Sequence, residues 1–98
     1  MQLSELARVV RSKNAGPTQL TIDVLFADKA GFARGLKALT AAVVAQRYGR
    51  AETDIQVLSV PAALALKIVM PRAEPAGSPG DRDVYGAQQH APLLDIEV

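Results

Sequence analysis

Apolar and polar residues alternate along residues 18–26, which predicts a half-buried β-strand. A second run with strand character covers Ile55 to Val60, and after Pro61 an alternating segment continues from Leu64 to Met70. Both faces of this last segment are largely apolar, so we predict that it lies in the centre of the sheet. On the first strand the expected inward face consists of Leu20, Ile22, Val24 and Phe26, opposite Gln19, Thr21 and Asp23.

Between these strands the apolar period becomes helical. Asp28 is a candidate N-cap, and Thr40 is a candidate cap for a second helix over residues 41–48 that ends at Gly49. Gly31 and Gly35 weaken the first helix by about 1 kcal/mol each relative to alanine, so that helix needs tertiary packing to persist. The helical layer is either two short helices or one bent helix. The expected buried face of the first helix is formed by Phe32, Leu36 and Leu39.

The N-terminal segment allows two interpretations. Residues 6–10 favour a strand, whereas residues 3–10 also fit a helical turn that opens at Ser4. Asn14, Gly16 and Pro17 favour a turn, so we predict a loop over residues 11–17. Alternation over residues 94–98 predicts a final strand. The sum is an α+β two-layer sandwich, with a mainly antiparallel sheet and two short helices on one face.

Length and composition limit the classes of function. The 98 residues fit one domain, 1–98, and 49% hydrophobic residues exclude a disordered tail. The net charge of +1 is too balanced for a strong electrostatic footprint, so we expect no nucleic-acid and no membrane partner. Without cysteine there is no disulfide, thiolate metal cluster or cysteine nucleophile. Residues 1–14 do not form a signal sequence, and we expect a cytoplasmic protein.

Residues 71–92 contain four prolines, three glycines and no apolar period, so we predict a long functional loop there. His90 is the default general acid or base, with Asp83 beside it as a second catalytic candidate. Asp81, Asp83 and His90 lack an evident fourth ligand and match a closed metal site poorly, so we expect no metal. The aspartates more readily bond to loop backbone or pair with Arg82 or Arg11. Tyr85, Gln88 and Gln89 either orient a substrate or tie down the loop.

The predicted loop over residues 11–17 is the second candidate site. Its backbone N–H groups can form an anion-binding nest, to which Arg11 and Lys13 add charge-assisted hydrogen bonds. In the alternative interpretation it is a solvated connection in which Asn14 and Gly16 serve only turn geometry. Spacing excludes the serine-hydrolase elbow, the P-loop and the dinucleotide-binding motif.

Two polar strings, RSKNAGP at 11–17 and GSPGDRDVYGAQQHAPLL at 77–94, resemble the domain of unknown function 4387 family. The resemblance implies a small protein or appended domain that accompanies acyclic terpene utilisation (AtuA-like) proteins. It also implies a role in acyl-CoA metabolism, with an acyl-thioester or carboxylate ligand, and suggests a ferredoxin-like arrangement. These implications rest on analogy with the family rather than on the residues themselves.

Our first hypothesis is therefore an accessory subunit of an AtuA-like enzyme, without a cofactor of its own. Alternatives are a non-catalytic scaffold or oligomerisation module and a stand-alone lyase or hydratase. We also expect a homo-oligomer, because short domains often hide sheet edges by self-association. In the accessory hypothesis His90 and Asp83 are catalytic, and the substrate-binding residues are Arg11, Ser12, Lys13, Asn14, Gly16, Asp81, Tyr85, Gln88 and Gln89.

Overall fold

The computed structural model describes residues 1–83 and 85–98, so Val84 of the second polar string lies outside the described residues. Four antiparallel strands form one sheet in the order β1-β2-β4-β3. The strands are β1 (Ala7–Asn14), β2 (Gln19–Phe26), β3 (Gln56–Val60) and β4 (Ala65–Pro71). The helices are α1 (Leu3–Leu6), α2 (Lys29–Ala38) and α3 (Ala41–Tyr48). The α+β prediction with an antiparallel sheet is confirmed.

The core lies between the sheet and the helices that follow β2. One face of the central strands contributes Ile22 and Ile68, which are buried in the same cluster as Leu39 and Val44 from the helical layer. The predicted alternation in β4 and its central position are confirmed, and the alternation in β2 is confirmed except at Thr21, which is buried although it belongs to the predicted polar face. Within the described residues, none of the helices combines the length and the apolar character that crossing a bilayer would require.

The sheet contains part of a ferredoxin-like arrangement. β2 and β3 are both antiparallel to β4, which lies between them, and the two helices connect them. This is a split βαβ unit. The complete βαββαβ order is not formed, because α2 and α3 follow one another directly and β1 joins the sheet through an N-terminal hairpin.

Both interpretations of the N-terminal segment are partly right, since the single turn α1 precedes the strand β1. The predicted loop over residues 11–17 is wrong for residues 11–14, which continue β1. Arg11 lies opposite Asp23 and Asn14 lies opposite Leu20, so ladder pairing with β2 overrides the turn preference of Asn14. The hairpin turn is confined to the residues between Asn14 and Gln19.

Two short helices form the helical layer, and both predicted caps are present. Asp28 accepts a hydrogen bond from Gly31 N–H, and Thr40 accepts one from Val43 N–H. The predicted buried face of α2 is wrong at Leu36, which is 44% exposed. Gly31 and Gly35 are the buried residues of α2 instead, and at Gly35 the helix approaches Phe26 of β2 too closely for a larger side chain.

The predicted C-terminal strand is wrong. After a 3-10 turn at Ala91–Leu93 the chain forms only an isolated bridge between Gln2 and Glu97. Its backbone bonds to the N-terminal segment, where Leu3 N–H donates to Ile96 O at 2.8 Å. Because that neighbour is the helical turn α1, a ladder cannot extend, although Ile96 is buried as its alternation predicts.

Candidate functional site

The two polar segments meet at the end of the sheet where β1 turns into β2. Arg72 N–H donates to Thr18 O at 2.9 Å, and Ala76 N–H donates to Pro17 O at 2.6 Å. Farther along the loop, Asn14 N–H donates to Tyr85 O at 3.2 Å. The contact between the two segments, on which the shared-site hypothesis depends, is therefore present.

Arg72 holds the loop against the sheet, and its side chain is only 1% exposed. Its Nη1 donates to Asn14 Oδ1, while its Nη2 donates to Asp81 Oδ1 at 2.6 Å and to Asp83 O at 2.8 Å. Its Nε donates to Glu74 O at 3.0 Å. Every guanidinium nitrogen thus has a partner within the protein, which gives Arg72 a structural role.

Asp81 is the carboxylate partner of Arg72, with a side chain that is 2% exposed. Its Oδ2 accepts from Gly77 N–H and its Oδ1 from Asp83 N–H, both at 2.8 Å. These two backbone hydrogen bonds, with the charge of Arg72, lower the pKa of Asp81. The predicted bonding to loop backbone is confirmed for this aspartate, but its cation is Arg72, neither Arg82 nor Arg11.

Asp83 closes the next turn of the loop. Its Oδ1 accepts from Ala87 N–H at 3.1 Å and its Oδ2 accepts from Gln88 N–H at 2.8 Å. Both carboxylate oxygens therefore order backbone groups, as the sequence predicted. A catalytic role for Asp83 stays a prediction.

Ser12 joins β1 to the end of the loop. The buried hydroxyl donates to Gly86 O, accepts from Gln89 N–H at 2.9 Å, and lies 3.4 Å from His90 Nδ1. A Cβ on Gly86 would lie 3.0 Å from Asn14 N, so the loop backbone crosses the strand where only glycine fits easily. Because its proton is already donated to a carbonyl, the Ser12 hydroxyl is not an activated nucleophile.

Tyr48 of α3 anchors the same turn from the helical layer. Its hydroxyl donates to Gln89 O at 2.6 Å, and burial raises the pKa of Tyr48. Gln88 is exposed, whereas Gln89 and His90 are half-buried. The backbone of Tyr85 is held against β1 by Asn14 N–H, but the residue is 82% exposed, which makes it the most exposed aromatic residue for a partner to contact.

The two predicted cations of β1 are not part of this cluster. Side chains alternate across a strand, so Arg11 and Lys13 lie on the face opposite Ser12. Arg11 Nε lies 3.6 Å from Asp23 Oδ2, and Lys13 is exposed. The predicted anion-binding nest over residues 11–17 is therefore wrong, because its first four residues are extended in the sheet. Gly16 lies in the exposed hairpin turn.

A small groove opens beside the buried ion pair, with a volume of about 180 Å³. Arg82 lines it and is exposed, and among the described residues no hydrogen bond or ion pair involves its guanidinium. Sequence reasoning missed Arg72, although an arginine directly after a strand and before two aspartates was a usable signal. No local signal indicated Tyr48 or Gly86. No group of three potential metal ligands occurs within residues 1–83 and 85–98.

Residues 3–97 match a protein-family model described as Domain of unknown function (DUF4387). No curated protein and no solved structure matches the chain. The family match covers nearly all of the sequence, including both polar strings that meet at the end of the sheet. On this evidence the chain belongs to the Domain of unknown function (DUF4387) family.

Proposed function

We propose that this chain is a cytoplasmic accessory subunit that presents the loop over residues 72–90 to a larger AtuA-like enzyme. The observation that carries the proposal is the contrast within this loop. Its buried side is held by Arg72 and Ser12, whereas Tyr85 is 82% exposed and Arg82 has no partner among the described residues. A rigid loop that displays an aromatic ring and a cation is suited to binding.

The internal hydrogen bonds favour an accessory role over independent catalysis. Asp81 and Asp83 accept backbone hydrogen bonds with both of their oxygens, and Ser12 donates its proton to Gly86 O. A general base needs free access to the proton that it removes. Among the described residues of the cluster His90 remains a candidate, since the one contact found there for its Nδ1 is the long 3.4 Å contact with Ser12 Oγ.

The groove is lined by two arginines and three carboxylates, and Arg72 is already paired with Asp81, so the support for an anionic ligand comes from Arg82. Arg82 can bind a carboxylate or a phosphate with two parallel hydrogen bonds. An acyl-coenzyme A thioester carries both phosphates and a polarisable carbonyl, and the exposed amide of Gln88 lies on the same loop. We assign Arg82 to the anionic group and Tyr85 to contact with the enzyme.

The test is reconstitution with an AtuA-like enzyme and a panel of acyl thioesters. Arg82→Gln should leave co-purification intact and raise the KM of the complex roughly tenfold, the expected loss of one charge-assisted hydrogen bond. Tyr85→Ala should weaken co-purification. Lys29→Ala is the matched control, because Lys29 is exposed near Phe26, at the opposite end of the β1–β2 hairpin from Asn14.

Three outcomes would contradict the proposal. If no complex forms, the accessory role is wrong. If Arg82→Gln and a His90→Ala variant both keep full turnover with assembly intact, the chain is a scaffold. Turnover of an acyl thioester by the isolated chain would favour the stand-alone lyase or hydratase.

A further inference from the structure

The edge strand β3 differs from the opposite edge of the sheet. β1 carries three cations, and its end is covered where Asn14 N–H donates to Tyr85 O. β3 has the sequence QVLSV, without a charged residue, and leaves Leu58 48% and Val60 43% exposed. Proteins usually protect exposed edge strands with charge, proline or a covering segment. β3 has none of these devices among its five residues.

The backbone of β3 offers a defined set of free groups. Bonded and non-bonded pairs alternate along antiparallel strands. Arg72 N–H donates to Thr18 O, which fixes which residues of β4 bond to β2 and which bond to β3. By this alternation the backbone N–H and C=O groups of Gln56, Leu58 and Val60 point toward β4. The N–H and C=O groups of Val57 and Ser59 therefore face outward, and within the described residues no hydrogen bond to them is found.

We propose that β3 pairs with β3 of a second copy of this chain, antiparallel and centred on Leu58. In this register Val57 of each copy lies opposite Ser59 of the other, so all of their outward N–H and C=O groups form hydrogen bonds. Leu58 then lies opposite Leu58 in a non-hydrogen-bonded pair, on the sheet face away from the helices. The two sheets become one continuous sheet of eight strands around a two-fold axis.

Neighbouring residues select this register over its alternatives. If the centre of the β3–β3 pairing moves toward the N-terminus, Ile55 occupies a hydrogen-bonding position, but Ile55 N–H already donates to Glu52 O. If the centre moves toward the C-terminus, Pro61 occupies a hydrogen-bonding position, and proline has no N–H to donate. The centred register is thus the one in which each outward group meets an unused partner.

Charge sets the direction in which the second copy pairs. Glu52 and Asp54 precede β3, and the uncharged segment Pro61–Ala63 follows it. In the antiparallel arrangement Asp54 of one copy lies opposite Ala62 of the other. A parallel arrangement would place the acidic residues opposite one another, at a cost from like-charge repulsion.

Cysteine cross-linking tests the register directly, because the chain has no cysteine of its own. The Cα atoms of a non-hydrogen-bonded pair lie about 4.5 Å apart, within the range that a disulfide spans. Leu58→Cys should therefore form a covalent dimer on mild oxidation. Val60→Cys is the matched control, since the two Val60 positions are offset by four residues, or about 14 Å.

Sedimentation of the full chain over a concentration series tests the association itself. Leu58→Lys should raise the dimer dissociation constant at least about tenfold, because two lysines would face each other. Ser59→Pro should weaken the dimer without unfolding the monomer, since it removes an N–H that the ladder does not use. Val9→Lys, an exposed apolar residue of the other edge strand, should leave the dimer unchanged.

A wild-type chain that stays monomeric at all concentrations would overturn the proposal, as would equal cross-linking of the two cysteine variants. If Val9→Lys dissociated the dimer and Leu58→Lys did not, the interface would lie at the β1 edge of the sheet. Uptake of a strand from another protein by a monomeric chain would identify a different occupant. These assembly measurements do not involve an enzyme partner, so they stand apart from the proposed accessory function.

Discussion

Arg72 and Asp81 are the residues that convert an irregular loop into a fixed structure. Their side chains are 1% and 2% exposed and lie 2.6 Å apart. The surrounding hydrogen bonds leave no nitrogen of Arg72 and no oxygen of Asp81 without a partner. A buried ion pair costs stability unless it is completed in this way, so the pair specifies one arrangement of the loop relative to β1.

The lowered pKa of Asp81 predicts a dependence of stability on pH. Its folded-state pKa lies below the unfolded value of 3.8, so the carboxylate contributes stability above that pH and loses it as the pH falls through the folded pKa. Asp81→Asn should lower stability at pH 7 and flatten the decline below pH 3.8. Urea unfolding at a series of pH values measures both effects.

Asp95→Asn is the control for that experiment. Asp95 pairs with Arg47 at the surface, where its side chain is 65% exposed, and surface ion pairs contribute little. We expect this variant to follow the wild-type profile in acid. If Asp81→Asn also followed it, the hydrogen-bond geometry around Asp81 would not be the one that stabilises the folded protein.

The α2 helix shows how packing can reverse a local preference. Gly31 and Gly35 reduce helix propensity, yet they are the residues that α2 buries. A Cβ on Gly35 would overlap the ring of Phe26, which also packs edge-to-face on Phe32 with ring centroids 6.2 Å apart. The close approach of the helix to β2 therefore depends on glycine.

A pair of alanine substitutions separates these effects. Gly35→Ala should destabilise the protein by about 1–3 kcal/mol, because overpacking outweighs the gain in helix propensity. Gly31→Ala should change stability by no more than about 1 kcal/mol, because the strain and the helix-propensity gain oppose each other. At Gly31 the added carbon would lie 3.5 Å from Leu6 Cδ1 and 3.2 Å from Asp28 Oδ1. Urea unfolding of both variants makes the comparison, and a stabilised Gly35→Ala would contradict the packing.

At the scale of the whole molecule, the two ends of the chain close the core together. Leu3 N–H donates to Ile96 O at 2.8 Å and Ser4 N–H donates to Leu94 O at 3.0 Å. Leu3, Leu93 and Ile96 are buried in the same cluster as the sheet. The last residues thus complete the domain although they add no strand to the four-stranded sheet.

Because the two ends of the chain close the core, a substitution in the C-terminal segment should change the free energy of unfolding of the whole domain, although the segment lies outside the regular elements. Ile96→Ala should lower the free energy of unfolding by about 2–5 kcal/mol, the range for removing a buried isoleucine side chain. The exposed neighbour Glu97→Ala should change it by less than about 0.5 kcal/mol. Urea unfolding followed by circular dichroism and tyrosine fluorescence tests this. If Ile96→Ala affected only a separate, local unfolding transition and left the main transition unchanged, the C-terminal segment would not be part of the cooperative unit.

Much of the fold was predictable because its signals are local. Alternation over residues 18–26 and 64–70 reflects which face of a strand is buried, and Asp28 and Thr40 cap helices that begin directly after them. The two polar strings also indicate the family by their sequence alone, independently of the contact between them. Each of these inferences uses only the spacing of residues that are close in the chain.

The partners of those residues were decided by contacts between segments far apart in the chain. Pairing with β2 extended β1 through Asn14 and turned Arg11 and Lys13 away from Ser12. The helical turn α1 left the C-terminal residues without a strand to join, and Arg72, which pairs with Asp81 in the loop, also donates to Asn14 Oδ1 on β1. Periodicity encodes which face of an element is apolar, whereas the choice of neighbour depends on through-space packing and hydrogen bonding, which periodicity does not encode.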